Sequence, residues 1–216
     1  MKNLIIIPSR LESSRLPNKP LADINGEPMI VHVFNRAREA NIANVIVAAG
    51  NIEIKDVIEN VGGEAILTKS DHASGSDRIY EALNLYDKDS SYDNVINLQG
   101  DLPNIKKDAL TKIVSLLDSS NSDISTLGVK ISSDQEILNP NIVKAYIKNL
   151  SENNIVDDFD RSFDLSKKDF LYHHIGIYGY KRNALESFIG FNQSKAESDR
   201  KLEQMRALEN DMKIAL

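Results

Sequence analysis

The 216-residue chain contains no cysteine. That excludes disulfides, thiolate metal sites and thiol nucleophiles together. Histidine is scarce: His32, His72, His173 and His174 are too few and too scattered to suggest a metal cage. Long apolar runs are missing too. No window approaches the roughly 18 apolar residues a membrane-spanning helix needs. The opening MKNLIIIPSR is too short in its apolar part for a signal peptide, and charge follows at once. The expectation is a cytoplasmic protein with no membrane partner. An excess of positive charge is also lacking. The formal net charge is −6, which argues against general nucleic-acid binding, since that wants a basic face.

What remains is an ordinary globular composition, long enough for one sizeable core or one core with a small lobe. Short apolar runs at 3–8, 44–50, 64–68, 93–100 and 123–131 read as strands. Segments 28–40, 52–61, 75–86 and 106–119 have apolar residues at helical spacing, with Pro28 expected at the first helical position. This alternation predicts an α/β, Rossmann-like fold: a mostly parallel sheet with helices on both faces. After about residue 140 the rhythm changes. Segments 141–148 and 170–181 read as antiparallel strands, 151–169 resists assignment, and 194–210 reads as one charged amphipathic helix. A further strand begins in MKIAL at the end.

Ligands of open α/β sheets bind beyond the carboxyl ends of the strands, and three segments carry polar residues there. The first is IIIPSRLESSRLPNKP, where Pro8, Arg10, Arg15 and Lys19 follow strand one with no glycine before Gly26. Side-chain cations on a proline-braced loop replace the backbone amides of a glycine-rich phosphate loop. A solvated charged loop is the alternative. The second is HASGSDRIYEAL (72–83), in which Ser74 and Asp77 have the spacing of a capping box. The third is NLQGDLP (97–103): Gly100 permits close approach, Asp101 is a hard carboxylate suited to Mg²⁺ beside phosphates, and Gln99 can bond a base or sugar. A self-satisfied turn is the alternative for Asp101. Of His173 and His174, one is expected to pack in the sheet and one to face solvent. Glu203 and Gln204 would by default lie on a solvated helix face.

PSRLESSRLPNKPLADINGEPMIVHV, HASGSDRIYEAL, NLQGDLPNI, NPNIVK, HIGIYGY and KLEQMRALEN occur in that order. Together they closely resemble the 3-deoxy-manno-octulosonate (Kdo) cytidylyltransferase family over nearly the whole chain. The resemblance implies coupling of CTP and Kdo to CMP-Kdo and pyrophosphate, with Mg²⁺, for lipopolysaccharide core synthesis, or the same reaction on a modified Kdo such as 8-amino-Kdo. It implies one nucleotidyltransferase domain over 1–216: a nucleotide-binding core at 1–131 and a sugar-site and homodimerisation portion at 140–216. By resemblance Arg10, Arg15 and Lys19 hold the triphosphate, with Pro8, Ser74 and Gln99 beside the nucleotide. Asp101 ligates Mg²⁺, and Arg10, Lys19 and Asp101 carry catalysis. Gln99, His174, Tyr178, Glu203 and Gln204 line the sugar site.

The chain departs from the family pattern at three places. An acidic ATDD-like segment is AAGN (48–51) here, and the Phe-Ser-Arg-Ser stretch is FDRS (159–162), which offers Arg161 as a counterpart. The family also continues past RALEN into an Asp-Thr-Pro-like segment with a second acidic metal ligand. Its absence makes a catalytically impaired CTP-binding fragment the alternative expectation.

Overall fold

The computed structural model describes residues 1–12, 16–149 and 154–216. Arg15 therefore lies outside the described residues. The first half builds the expected alternation. It runs β1 (Asn3–Ser9), the short hairpin β2 (Asp23–Ile24) and β3 (Glu27–Pro28), α1 (Met29–Ala40), β4 (Asn44–Ala49), α2 (Ile52–Asn60), β5 (Glu64–Leu67), α3 (Gly75–Tyr86), β6 (Asn94–Asn97), α4 (Lys107–Ser119) and β7 (Ile124–Lys130). Pro28 sits one position earlier than expected, as the residue capping α1. There its missing N–H costs the helix nothing.

The second half supplies α5 (Asp134–Leu138), β8 (Lys144–Tyr146), β9 (Asp158–Asp160), β10 (Leu171–Lys181), α6 (Arg182–Gly190), α7 (Lys195–Arg200), α8 (Met205–Leu208) and β11 (Ile214–Ala215). A 3-10 turn over Leu165–Phe170 occupies part of the unassigned acidic stretch. The central sheet runs β11-β7-β10-β6-β1-β4-β5. β5, β4, β1 and β6 are parallel, and β10 is antiparallel to both β6 and β7. β8 pairs antiparallel with β10, and β9 with β8.

Burial of both faces explains the unbroken apolar run of β1. Leu4 and Ile6 pack with Ile79, Leu83 and Phe188 on one side, and Ile5 and Ile7 with Phe34, Ile54 and Ile58 on the other. Neighbours on a strand point to opposite faces, so a strand covered twice cannot alternate with polar residues. Each such side chain contributes about 1.5–3 kcal/mol by leaving water.

The expected single helix over 194–210 is broken. Lys201 adopts the left-handed conformation (φ 55°) and ends α7. A buried ion pair holds the bend: Arg206 donates to both oxygens of Glu197 at 2.8 and 2.6 Å. Nine positions along a straight helix amount to about half a turn of net rotation, placing the two residues on opposite faces. Only a bend lets them meet. That bend carries Glu203 and Gln204 inward, so the expectation of a solvated face fails, and Gln204 is only 8% exposed.

Candidate active site

β1 lies between β4 and β6, the point where strand order reverses, and a cavity of about 260 Å³ opens beyond its carboxyl end. Pro8 and Arg10 enter it from β1, and Lys19 from the following loop. Ser74, Gly75 and Arg78 come from the start of α3, and Gln99, Gly100 and Asp101 from the turn after β6. All the nucleotide candidates among the described residues thus meet in one place. Gly100 is required there: a Cβ would lie 2.9 Å from the Pro8 carbonyl oxygen.

The charges are arranged in pairs. Lys19 Nζ stands 2.7 Å from Asp101 Oδ2, with both side chains partly exposed. Arg10 Nη1 donates to the His72 carbonyl oxygen at 3.4 Å. Ser74 forms the expected capping box: its hydroxyl accepts from Asp77 N, and the Asp77 carboxylate accepts from Ser74 N. Gln99 Nε2 donates to Asn97 Oδ1 at 3.1 Å, which leaves its carbonyl oxygen to accept.

Arg78 is the residue that sequence reasoning missed. It is 2% exposed, and its guanidinium donates to Thr68 Oγ1, Lys69 O and Ser70 O. Burial, then neighbouring Arg10, lowers its pKa. The available signal was electrostatic. A cation in the first turn of a helix opposes the helix dipole, so it belongs there only if something else holds it. Gly50 makes room: a Cβ there would meet Arg78 Nη1 at 2.7 Å. The AAGN departure is thereby explained in both its last residues. Asn51 Oδ1 accepts from Leu11 N at 3.0 Å, while its amide donates to Glu12 at 3.2 Å. An Asp at 51 would keep the first bond and repel Glu12.

Of the sugar-site candidates, His174 and Tyr178 lie on β10 and Glu203 and Gln204 on the bend before α8, while Gln99 lines the cationic cavity. β10 slips register against β7 between Ile175 and Tyr178, whose partners Leu127 and Thr126 are adjacent. Four residues of regular strand span about 13 Å. The bulge instead brings the His174 and Tyr178 rings to 5.4 Å. Thr126 Oγ1 donates to Ile177 O at 2.7 Å and lies 2.9 Å from His174 Nε2. A hydroxyl that has given its proton must accept, which assigns the proton to Nε2 and leaves Nδ1 an acceptor. Burial pushes the His174 pKa down to about 3, so the ring is neutral at physiological pH. His173 faces outward, 3.4 Å from Glu136, as the alternation of a strand predicts. Burial raises the Tyr178 hydroxyl and the Glu203 carboxyl above their ordinary pKa values, and Glu203 adds to the rise at Tyr178. Ser74 and Ser76 counter part of the rise at Glu203 by hydrogen bonding. Glu203 Oε1 is buried without a hydrogen-bond partner, and so is open to a donor. Ser74, which lines the cationic cavity, thus stands on the side of α3 that influences Glu203.

Arg161 does not line the cavity. Its guanidinium donates to Pro140 O at 3.3 Å, and its carbonyl accepts from the fully buried Lys144. Among the described residues no group of three or more His, Cys, Asp or Glu forms a metal cage, and no helix is long and apolar enough to cross a membrane.

A cation-lined cavity at a strand-order reversal suits a phosphate-bearing ligand, and likeness to known proteins places the chain among the nucleotidyltransferases. The cytidylyltransferase family model matches residues 4–214. A 3-deoxy-manno-octulosonate cytidylyltransferase of Brucella ovis is 48% identical across 99% of this chain and 86% of its own length. Its Brucella anthropi counterpart is 46% identical over 99% and 87%. Among solved structures, CMP:2-keto-3-deoxy-manno-octonic acid synthetase complexed with CTP superposes with TM-score 0.89 at 35% identity, covering 100% of this chain and 88% of that one. A 4-diphosphocytidyl-2C-methyl-D-erythritol synthase from Anaerococcus prevotii shares the fold alone, at TM-score 0.64 and 12% identity. The chain belongs to the 3-deoxy-manno-octulosonate cytidylyltransferase family.

Proposed function

We propose that the chain couples CTP to Kdo, forming CMP-Kdo and pyrophosphate in the cytoplasm for lipopolysaccharide core synthesis. The observation that carries this reading is the junction at Ser74. A cationic cavity at the sheet's switch point is lined there by Ser74, and behind the start of that helix lies the desolvated cluster of His174, Tyr178 and Glu203. The first suits a triphosphate and the second a polyhydroxylated sugar.

In this reading Arg10 and Lys19 hold the phosphate oxygens, with Arg15 from the same loop. Pro17 and Pro20 limit the entropy lost when that loop closes. The anomeric 2-hydroxyl of Kdo attacks the α-phosphorus in line. The new O–P bond forms as the bond to pyrophosphate breaks, and the hydroxyl proton is released. Kdo is an anion approaching a polyanion, so the cations must offset repulsion before attack. His174 Nδ1 and Glu203 Oε1 accept sugar hydroxyls and orient the nucleophile. No covalent intermediate is needed.

Asp101 fits a magnesium site of the kind completed by substrate phosphates and water, where one or two carboxylates suffice. Its Oδ2 already pairs with Lys19 at 2.7 Å, and the residue lines the cavity. Bound there, Mg²⁺ would neutralise phosphate charge. We propose that the chain acts as a homodimer. The exposed apolar side chains of Val129, Leu138, Leu165 and Phe170 support this, all of them on the portion around the antiparallel extension.

The test is pyrophosphate release with CTP, Kdo and Mg²⁺, with ATP, UTP and sialic acid as controls. Release confined to CTP and Kdo is expected. Folded protein that releases none would overturn the reading.

A further inference from the structure

Behind the cationic cavity lies the segment that joins β5 to α3. Its carbonyls do unusual duty. Lys69 O and Ser70 O accept from Arg78, and His72 O accepts from Arg10. Two arginines that repel each other are thus aimed into one cavity by three carbonyls of one short loop. A loop cannot hold such a shape alone, because each acceptor is only as well placed as its backbone.

One carboxylate fixes it. Glu81, on α3 two turns after the cap, accepts from Lys69 N at 2.9 Å. The same oxygen, Oε2, also contacts His72 Nε2 closely. Glu81 therefore grips the loop at its first residue and, through the His72 ring, at its fourth. The partly buried His72–Glu81 contact is well shielded from water. Glu81 also faces Arg78 electrostatically, with Glu12 and Asp71, and offsets the buried positive charge of Arg78.

We propose that Glu81 and His72 form a positioning pair for the nucleotide clamp, holding the 69–72 loop so that Arg10 and Arg78 present their free N–H groups to the triphosphate. Glu81 does not line the cavity, while His72 borders it with its ring held by Glu81. The pair acts through Arg10 and Arg78, and the inference rests on the CTP reading above.

CTP affinity of the full chain, measured by calorimetry with Mg²⁺, tests it, beside the KM for Kdo and the melting midpoint. Glu81→Ala should weaken CTP binding about tenfold, since a small misplacement of positioned groups can cost up to a hundredfold. Glu81→Gln keeps an oxygen acceptor for Lys69 N and the His72 ring, and should recover most of the loss. His72→Ala should fall between them. The KM for Kdo should stay within about twofold throughout, because the Kdo candidates draw nothing from this loop. A purely structural role would instead lower the melting midpoint and weaken both substrates together, and that result overturns the proposal. If Glu81→Ala does not fold, His72→Ala decides: unchanged CTP affinity there overturns the pairing. Wild-type protein that does not bind CTP overturns the nucleotide reading and this inference together. Wild-type binding matched by the variants overturns this inference alone.

Discussion

The two ends of the candidate site are built by opposite means. At the nucleotide end, Lys19 and Asp101 meet in water on loops, while Arg78 is buried but wrapped in carbonyls and a hydroxyl. At the sugar end, His174, Tyr178 and Glu203 are stripped of solvent and shifted toward their neutral forms. The difference follows the ligands proposed for each. A triphosphate brings so much charge that cations near water can meet it once they are held in place. A sugar must be told apart by the direction of its hydroxyls, and that requires dipoles fixed in a dry pocket.

The contrast can be broken at three levels. The largest effect is expected at Lys19. Lys19→Ala should lower kcat/KM about 10²–10³-fold, the usual cost of losing one stabilising group in the transition state. The exposed pair with Asp101 itself holds only about 0–1 kcal/mol, so the fold should survive. Turnover within a few-fold of wild type in steady-state kinetics would remove Lys19 from the clamp. Next comes His174. Its folded pKa of about 3 lies below the ordinary 6.5, so the unfolded chain takes up a proton that the native chain refuses. Stability is therefore lost as pH falls from 6.5 toward 3, by about 1.4 kcal/mol per unit. Urea titrations at pH 6.5 and 5 should differ by about 2 kcal/mol from this group, and His174→Gln should abolish that share. An unchanged pH slope in the variant would mean the ring is charged in the native state. The smallest effect is expected from Asn51→Asp. The new repulsion with Glu12 should raise the KM for CTP about twofold, and Glu12→Gln should restore it. A double-mutant cycle without coupling would dissociate Asn51 from the cationic loop.

Much of this was legible in the residues. Apolar runs of strand length alternating with helical periodicity gave away the parallel half. Ser74 and Asp77 announced the cap, and the cations after β1 announced the cavity. The meeting of His174 and Tyr178 could not be read from the residues alone, for a physical reason. His174 and Tyr178 meet because β10 slips register, and nothing local to HIGIYGY fixes a slip that Thr126 on another strand holds in place. Gly176 inside a strand was the one hint. The bend at Lys201 was hidden likewise, because the Glu197–Arg206 pair exists only once the helix has broken. Arg78 was overlooked because its partners are backbone carbonyls, which no side-chain motif records.

The place of β10 has a further consequence. This strand, close to the end of the chain, is inserted between β6 and β7, which were made some fifty residues or more earlier. While the chain emerges from the ribosome, β6 has one open edge, and β7 has no antiparallel partner on that side until Lys181 is free. Synthesis and sheet closure are thus out of step, and the interval exposes the kind of unpaired edge on which nascent chains aggregate. The strand that brings His174 and Tyr178 together is also the one that seals the sheet, so the aromatic cluster and the closed edge form in the same late event.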